Sequence, residues 1–122
     1  MPRLRLADSV TEAVADGAGT VLVTGSHGGL SSSRFAIEAR PHVVVFNDAG
    51  VGLDRAGVVG LDRLEAAGIA ACAVSHLSAR IGEARSTLED GVVSVANPRA
   101  QALGLVNGVR LAQWVRRYAT ES

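Results

Sequence analysis

Thr20-Val21-Leu22-Val23-Thr24, then Gly25-Ser26-His27-Gly28-Gly29, then Leu30-Ser31-Ser32-Ser33 is the stretch that decides how this chain folds. A short β-branched run with no polar alternation fits a strand buried on both faces. The glycines after it open a tight loop. Serines suit the first turn of a helix, expected from Ser31 to Ala39, with Pro41 past its end. A buried strand, a glycine loop and a helix form the first half of a βαβ unit.

The same order recurs downstream. Val43–Phe46, Ile69–Val74 and Val92–Ala96 are three more apolar runs. Between them, a helix is expected from about Arg55 to Ala67, capped by Asp54 and closed by Gly68. Another is expected from Ala79 to Glu89, weakened by Gly82. Asn97-Pro98 resembles a cap followed by proline at the first helical position, with Gly104 at the far end. A last helix, about Arg110 to Tyr118, places Leu111, Trp114, Val115 and Tyr118 on one face. Upstream, Met1–Leu6 reads as an edge strand or loose arm, and Asp8 or Ser9 caps a short helix through Val14. The expectation is one α/β domain over residues 1–122. It has three layers: a mainly parallel sheet of about four strands, with helices on both faces. Right-handed crossovers would gather the loops Gly25–Ser31, Asn47–Asp54, Ser75–Arg80 and Asn97 on one sheet edge, where ligands of open α/β sheets bind.

Composition removes several functions. The chain has 122 residues, 12 basic and 12 acidic, and no net charge. With no basic block and 3% aromatics, nucleic acid is not an expected partner. No segment resembles a signal peptide or an apolar membrane span, so a cytoplasmic location and no membrane partner are expected. Every basic residue is arginine. Schiff-base chemistry, a lysine base and a P-loop lysine are therefore excluded, and any side-chain cation that holds an anion is an arginine. Cys72 is the only cysteine and sits in the apolar run Ile69–Val74, as a buried structural thiol would.

Chemistry is expected at the converging loops. The Gly25, Ser26, Gly28 and Gly29 backbone, with the Ser31, Ser32 and Ser33 hydroxyls, suits a carboxylate or phosphate at a helix N-terminus. His27 within it is a candidate general acid/base or oxyanion donor. His76 follows the third strand and faces the same cleft. Asp48, after Asn47, would orient a histidine or act as base. Ser75 would contact the ligand, and Arg80 and Arg85 are the candidate anion clamps. His42 lies on the opposite edge, where no catalytic role is expected. A Ser–His–Asp set drawn from Ser26 or Ser75, His27 or His76, and Asp48 lacks the G-x-S-x-G elbow. The histidine spacing lacks H-E-x-x-H character, so no metal is expected.

Thr24-Gly25-Ser26-His27-Gly28-Gly29-Leu30 resembles the T-G-x-x-x-G turn of short-chain dehydrogenases. The final glycine of that pattern is Ser31 here, and a Tyr-x-x-x-Lys pair is impossible without lysine, so no nicotinamide cofactor is expected. Residues 20 to 75 show a strand, a Gly/Ser loop, a helix, a second strand, a glycine-containing loop, then Ala66-Ala67-Gly68-Ile69 and a third strand. This order resembles the small swivelling domain of aconitase-X-type dehydratases. The resemblance implies a small subunit that closes over a site on a larger partner.

Two functions follow as expectations. One is a small enzyme or catalytic subunit for an anionic metabolite, using acid/base chemistry of lyase, isomerase or hydrolase type without a cofactor. The other is a non-catalytic metabolite-binding module that docks to a partner through Leu111, Trp114 and Tyr118. A sheet this small has edges to hide, so a homo-oligomer or a larger partner subunit is expected.

Overall fold

The computed structural model describes residues 2–121, with the backbone alone at residues 54, 120 and 121. The cap expected of Asp54 thus falls on a side chain outside the described set. The strands are β1 (Arg3–Ala7), β2 (Val21–His27), β3 (Val43–Asn47), β4 (Ala70–Val74), β5 (Val93–Ala96) and β6 (Thr120–Glu121). The α-helices are α1 (Leu30–Ala39), α2 (Gly60–Ala66), α3 (Ala84–Asp90), α4 (Pro98–Ala102) and α5 (Leu111–Tyr118). Val10–Ala13 and Leu53–Arg55 are 3-10 turns. Ser9 and Glu12 close a capping box over the first of these. No helix among the described residues is long and apolar enough to cross a membrane.

The sheet has six strands in the order β5-β4-β3-β2-β1-β6, all parallel except β5, which runs antiparallel to β4. Adjacent residues of each central strand point to opposite faces. Val21, Val23, Val43, Val45, Cys72 and Val74 pack under the side that carries Leu88, Leu111, Trp114 and Val115. Leu22, Val44, Phe46, Ala71 and Ala73 pack under Ala36, Ala39, Leu61 and Leu64. The expected three layers with helices on both faces are present. Burial pushes the Cys72 thiol up to about 12, leaving it an apolar core group.

The helix expected from about Arg55 to Ala67 begins only at Gly60, and three further features depart from the sequence reading. The amino-terminal segment is an interior strand between β2 and β6, because its apolar residues Leu4 and Ala7 are buried there. The apolar face of α5 is consumed by its own core: Leu111 is fully buried, and the Trp114 indole N–H donates to Leu103 O at 2.8 Å. That face is not free to dock a partner. The third departure is the direction of β5. The expected helix over 79–89 is shortened to Ala84–Asp90, with Gly82 at φ 85° in the loop before it. Seven residues rise only about 10 Å. The short helix therefore cannot return the chain to the amino edge, and β5 leaves from the carboxyl edge.

Asn97 is consequently at the amino edge, away from the other loops. Its Oδ1 accepts from the Ala71 and Ala100 N–H groups, and its Nδ2 donates to Leu61 O and Ile69 O. It is a buried bracket between α2, β4 and α4. Asn97→Ala should cost about 3 kcal/mol in urea unfolding, from one lost cap and several stranded partners. A loss below about 1 kcal/mol would refute the bracket role.

The outer edge of β5 is sealed. Val93 N–H donates to Val109 O, Gly108 N–H to Val93 O, and the Asn107 and Gln101 amides to Ser94 O and Ala96 O. This covers one of the two sheet edges against pairing with another chain.

Candidate active site

After β3 the chain turns toward the α1/α2 face, and after β4 it turns toward the α3/α5 face. Two neighbouring parallel strands whose connections diverge leave a crevice at their carboxyl ends. Asp48 and His76, the residues after Asn47 and Ser75, stand in it.

Asp48 is buried, with its side chain 6% exposed, and every contact on its carboxylate is a donor. Oδ1 accepts from the Gly50 N–H at 2.8 Å, the His76 N–H at 3.0 Å and the His76 Nδ1 at 3.2 Å. Oδ2 accepts from the Ser94 hydroxyl at 2.6 Å. Burial alone would raise the Asp48 pKa, but the hydrogen bonds from Ser94, Gly50 and His76 outweigh it and hold the group below the ordinary carboxylate value. An ionised carboxylate only accepts, so the His76 proton sits on Nδ1 when the ring is neutral. No hydrogen bond among the described residues reaches Nε2, and the ring is 47% exposed, lying over Gly50. Nε2 is therefore a free lone pair on an oriented ring, as a general base requires.

The loop from Asp48 to Gly57 is strained. Ala49, Val51 and Arg55 have φ of 51°, 67° and 61°, and Gly50 and Gly52 have φ of 76° and 77°. A β-branched residue at positive φ is uncommon and costs energy. Neighbours hold it there: Val51 N–H donates to Asp48 O, and Gly57 N–H donates to Val51 O, each at 2.6 Å. Within this turn the Gly50 N–H donates to the carboxylate.

His76 opens into a cleft of about 860 Å³, bounded by Asn47 and Ala49, by the loop Leu77–Ile81, and by one side of α3. Asn47 is a buried support: its Nδ2 donates to Ala79 O, and its Oδ1 accepts from the Ala49 N–H. Ser75 Oγ accepts from the Leu77 N–H, and Ser78 Oγ from the Val92 N–H, so these hydroxyls shape the loop. Arg80 is 81% exposed and lies 3.8 Å from Glu83.

His27 reaches the same edge, since it ends β2 opposite Asn47 in the register. It is exposed, its Nδ1 accepts from the Gly29 N–H at 3.2 Å, and it does not line the cleft. The glycines beside it are explained by protein neighbours. A Cβ on Gly25 would overlap the Gly82–Glu83 backbone. One on Gly28 would crowd Gly57 O and Phe46, and one on Gly29 would press on the His27 ring. Ser26 Oγ accepts from the Val10 N–H, Ser33 Oγ donates to Leu30 O, Ser32 is buried, and Ser31 is exposed. The loop that dominates the sequence is thus a packing junction between β1, β2 and the chain after β4.

Ser94 is the residue the sequence reading missed. It is the second residue of β5, and only an antiparallel β5 brings it to the carboxyl edge. Among the described residues no serine hydroxyl bonds to a histidine, so the Ser–His–Asp order of a serine nucleophile is not assembled there. His42 stacks on Tyr118 and meets its hydroxyl at 2.6 Å, away from the cleft. Among the described residues no group of three or more His, Cys, Asp and Glu is gathered to hold a metal. No known family model matches the chain, and comparison with curated proteins and with solved structures finds no significant match.

Proposed function

We propose that the chain is a small enzyme, or the catalytic subunit of one, in which His76 moves a proton on a small molecule held in the cleft. The observation that carries this is the buried Asp48 carboxylate, which accepts from Ser94, Gly50 and His76 and leaves Nε2 without a hydrogen-bond partner among the described residues. Asp48 fixes the ring's tautomer and orientation and balances the imidazolium formed when the base takes its proton. With no serine on the ring, proton transfer of isomerase or lyase type, or activation of a water, fits better than covalent acyl transfer. The Gly25–Gly29 loop and His27 support the edge from outside the cleft.

The test is a screen of proton-transfer and hydrolytic substrates with the wild-type chain, His76→Gln and His27→Ala. Activity should fall at least about a hundredfold in His76→Gln and persist in His27→Ala, with both variants melting close to wild type. Activity kept by His76→Gln and lost in His27→Ala would overturn the assignment and return it to the first loop.

A second reading rests on Leu53 and Leu77, each 86% exposed, in the loops after β3 and β4. Large apolar side chains on one edge suit a covering surface. A larger subunit seated there fits the resemblance to a swivelling small subunit. In that case the isolated chain is inactive and gains His76-dependent turnover only with its partner.

A further inference from the structure

We infer that Ser94 is a positioning residue for His76 that acts through Asp48: a one-residue bulge in β5 sets its hydroxyl on the second carboxylate oxygen, where it draws off negative charge that would otherwise hold the histidine proton. This deepens the acid/base reading and rests on it for the role of His76. The register shows the bulge. Ala96, Val95 and Val93 stand opposite Cys72, Ala73 and Val74, which leaves Ser94 as the extra residue between Val93 and Val95. An unbulged strand would send Val93 and Val95 to one face. Here Val93 packs in the core under α3 and α5, and Val95 packs against the core under α1 and α2. The extra residue is the one that reaches Asp48, and re-aiming a side chain beside a site is what such bulges do.

The bulge is pinned from its outer side. Ser94 O accepts from the Asn107 amide at 3.0 Å. One residue earlier, Val93 N–H donates to Val109 O and Val93 O accepts from the Gly108 N–H, each at 2.8 Å. The single hydroxyl proton of Ser94 has two acceptors in reach, Asp48 Oδ2 at 2.6 Å and Ala73 O at 3.4 Å. The short contact to a charged oxygen takes it. Oδ1 carries the Gly50 and His76 donors, so Ser94 works on the other oxygen of the same group. A donor on one oxygen lowers the proton affinity of the whole carboxylate, and with it the pull on the imidazolium. Asp48 therefore orients the ring, and Ser94 limits how tightly the ring keeps the proton it has taken. The other charges lining the cleft with His76 are Arg80, Glu83, Arg85, Glu89 and Asp90, all exposed. A substitution at Ser94 leaves them in place, so a response of the ring reports on the path through Asp48.

The test follows the His76 ring nitrogens by NMR through a pH titration of the isotope-labelled full chain, without substrate, in wild type, Ser94→Ala, Ser94→Thr and Ser94→Cys. In Ser94→Ala the neutral ring should keep its proton on Nδ1, and the ratio of protonated to neutral ring at pH 7 should rise about threefold. Ser94→Thr keeps the hydroxyl and should return the ratio to the wild-type value. Ser94→Cys puts a weak donor in the same place and should fall between, which also supplies the reading if the alanine variant does not fold. A ratio that stays constant or falls when the hydroxyl is removed, or a threonine variant that behaves like alanine, would overturn the inference. Since no substrate enters, failure here leaves the catalytic reading to the His76→Gln screen, and failure of that screen leaves this result standing.

Discussion

Gly57→Ala should lose about 3 kcal/mol of folding stability in urea and, in the molecules that remain folded, cut His76-dependent turnover about a hundredfold. Gly57 is buried where the loop after β3 doubles back under its own start. A Cβ there would overlap the Asp48 carbonyl oxygen and come within 3.1 Å of Val51 O. Both neighbours are backbone, so no side chain can swing aside. The only relief is to push Asp48 outward by something on the order of 1 Å, which spoils the aim of its carboxylate at His76. Gly82→Ala, between the cleft residues Ile81 and Glu83, is the control. Gly82 has φ 85° but nothing within 4 Å of its Cβ position. It should cost only about 1 kcal/mol, from left-handed backbone alone. Equal effects of the two substitutions would show that the Gly57 junction does not position Asp48.

Much of this arrangement was legible residue by residue. Val21–Thr24, Val43–Phe46 and Ile69–Val74 carry no polar alternation, and a strand covered on both faces leaves no other pattern open to them. Asn97-Pro98 declares a helix start because the cap and the fixed φ of proline act locally. Asp48 and His76 follow directly from strand ends, so a parallel sheet brings them together. Two things were not legible, and both are long-range. Gly25, Gly28 and Gly29 look like a cradle for a ligand, but what approaches Gly25 and Gly28 closely is backbone of the loops after β4 and β3, and Gly29 sits against the His27 ring. Ser94 was hidden by the direction of β5, which depends on whether a helix of eleven residues or seven follows β4. Gly82 was the signal. A helix broken there is too short to cross the sheet, and an antiparallel fourth run places Ser94 beside Asp48.

Asp48→Asn should lower turnover about a thousandfold, as much as losing the base it orients. The amide has one oxygen and one NH2 where the carboxylate has two acceptors. If its oxygen faces Gly50 and His76, the NH2 meets the Ser94 hydroxyl, which can turn to accept. If it flips, the NH2 confronts the Gly50 and His76 N–H groups, and the imidazole loses the charge that balances its protonated form. Either way Nδ1–H loses its ionic partner. The neutral ring should then populate both tautomers, read directly from ring nitrogen shifts, whereas the wild-type ring should hold its proton on Nδ1. The substitution should also change acid stability with a definite sign. The folded chain holds the Asp48 carboxyl below its unfolded value, so the group's stabilisation is complete above about pH 4 and is lost as the pH falls toward the folded value. Asp48→Asn has no such group to protonate. Its stability deficit against wild type should therefore be largest at pH 7 and shrink by pH 3. A deficit that stays constant from pH 7 to pH 3, together with a ring that keeps its tautomer, would mean that the carboxylate does not govern His76.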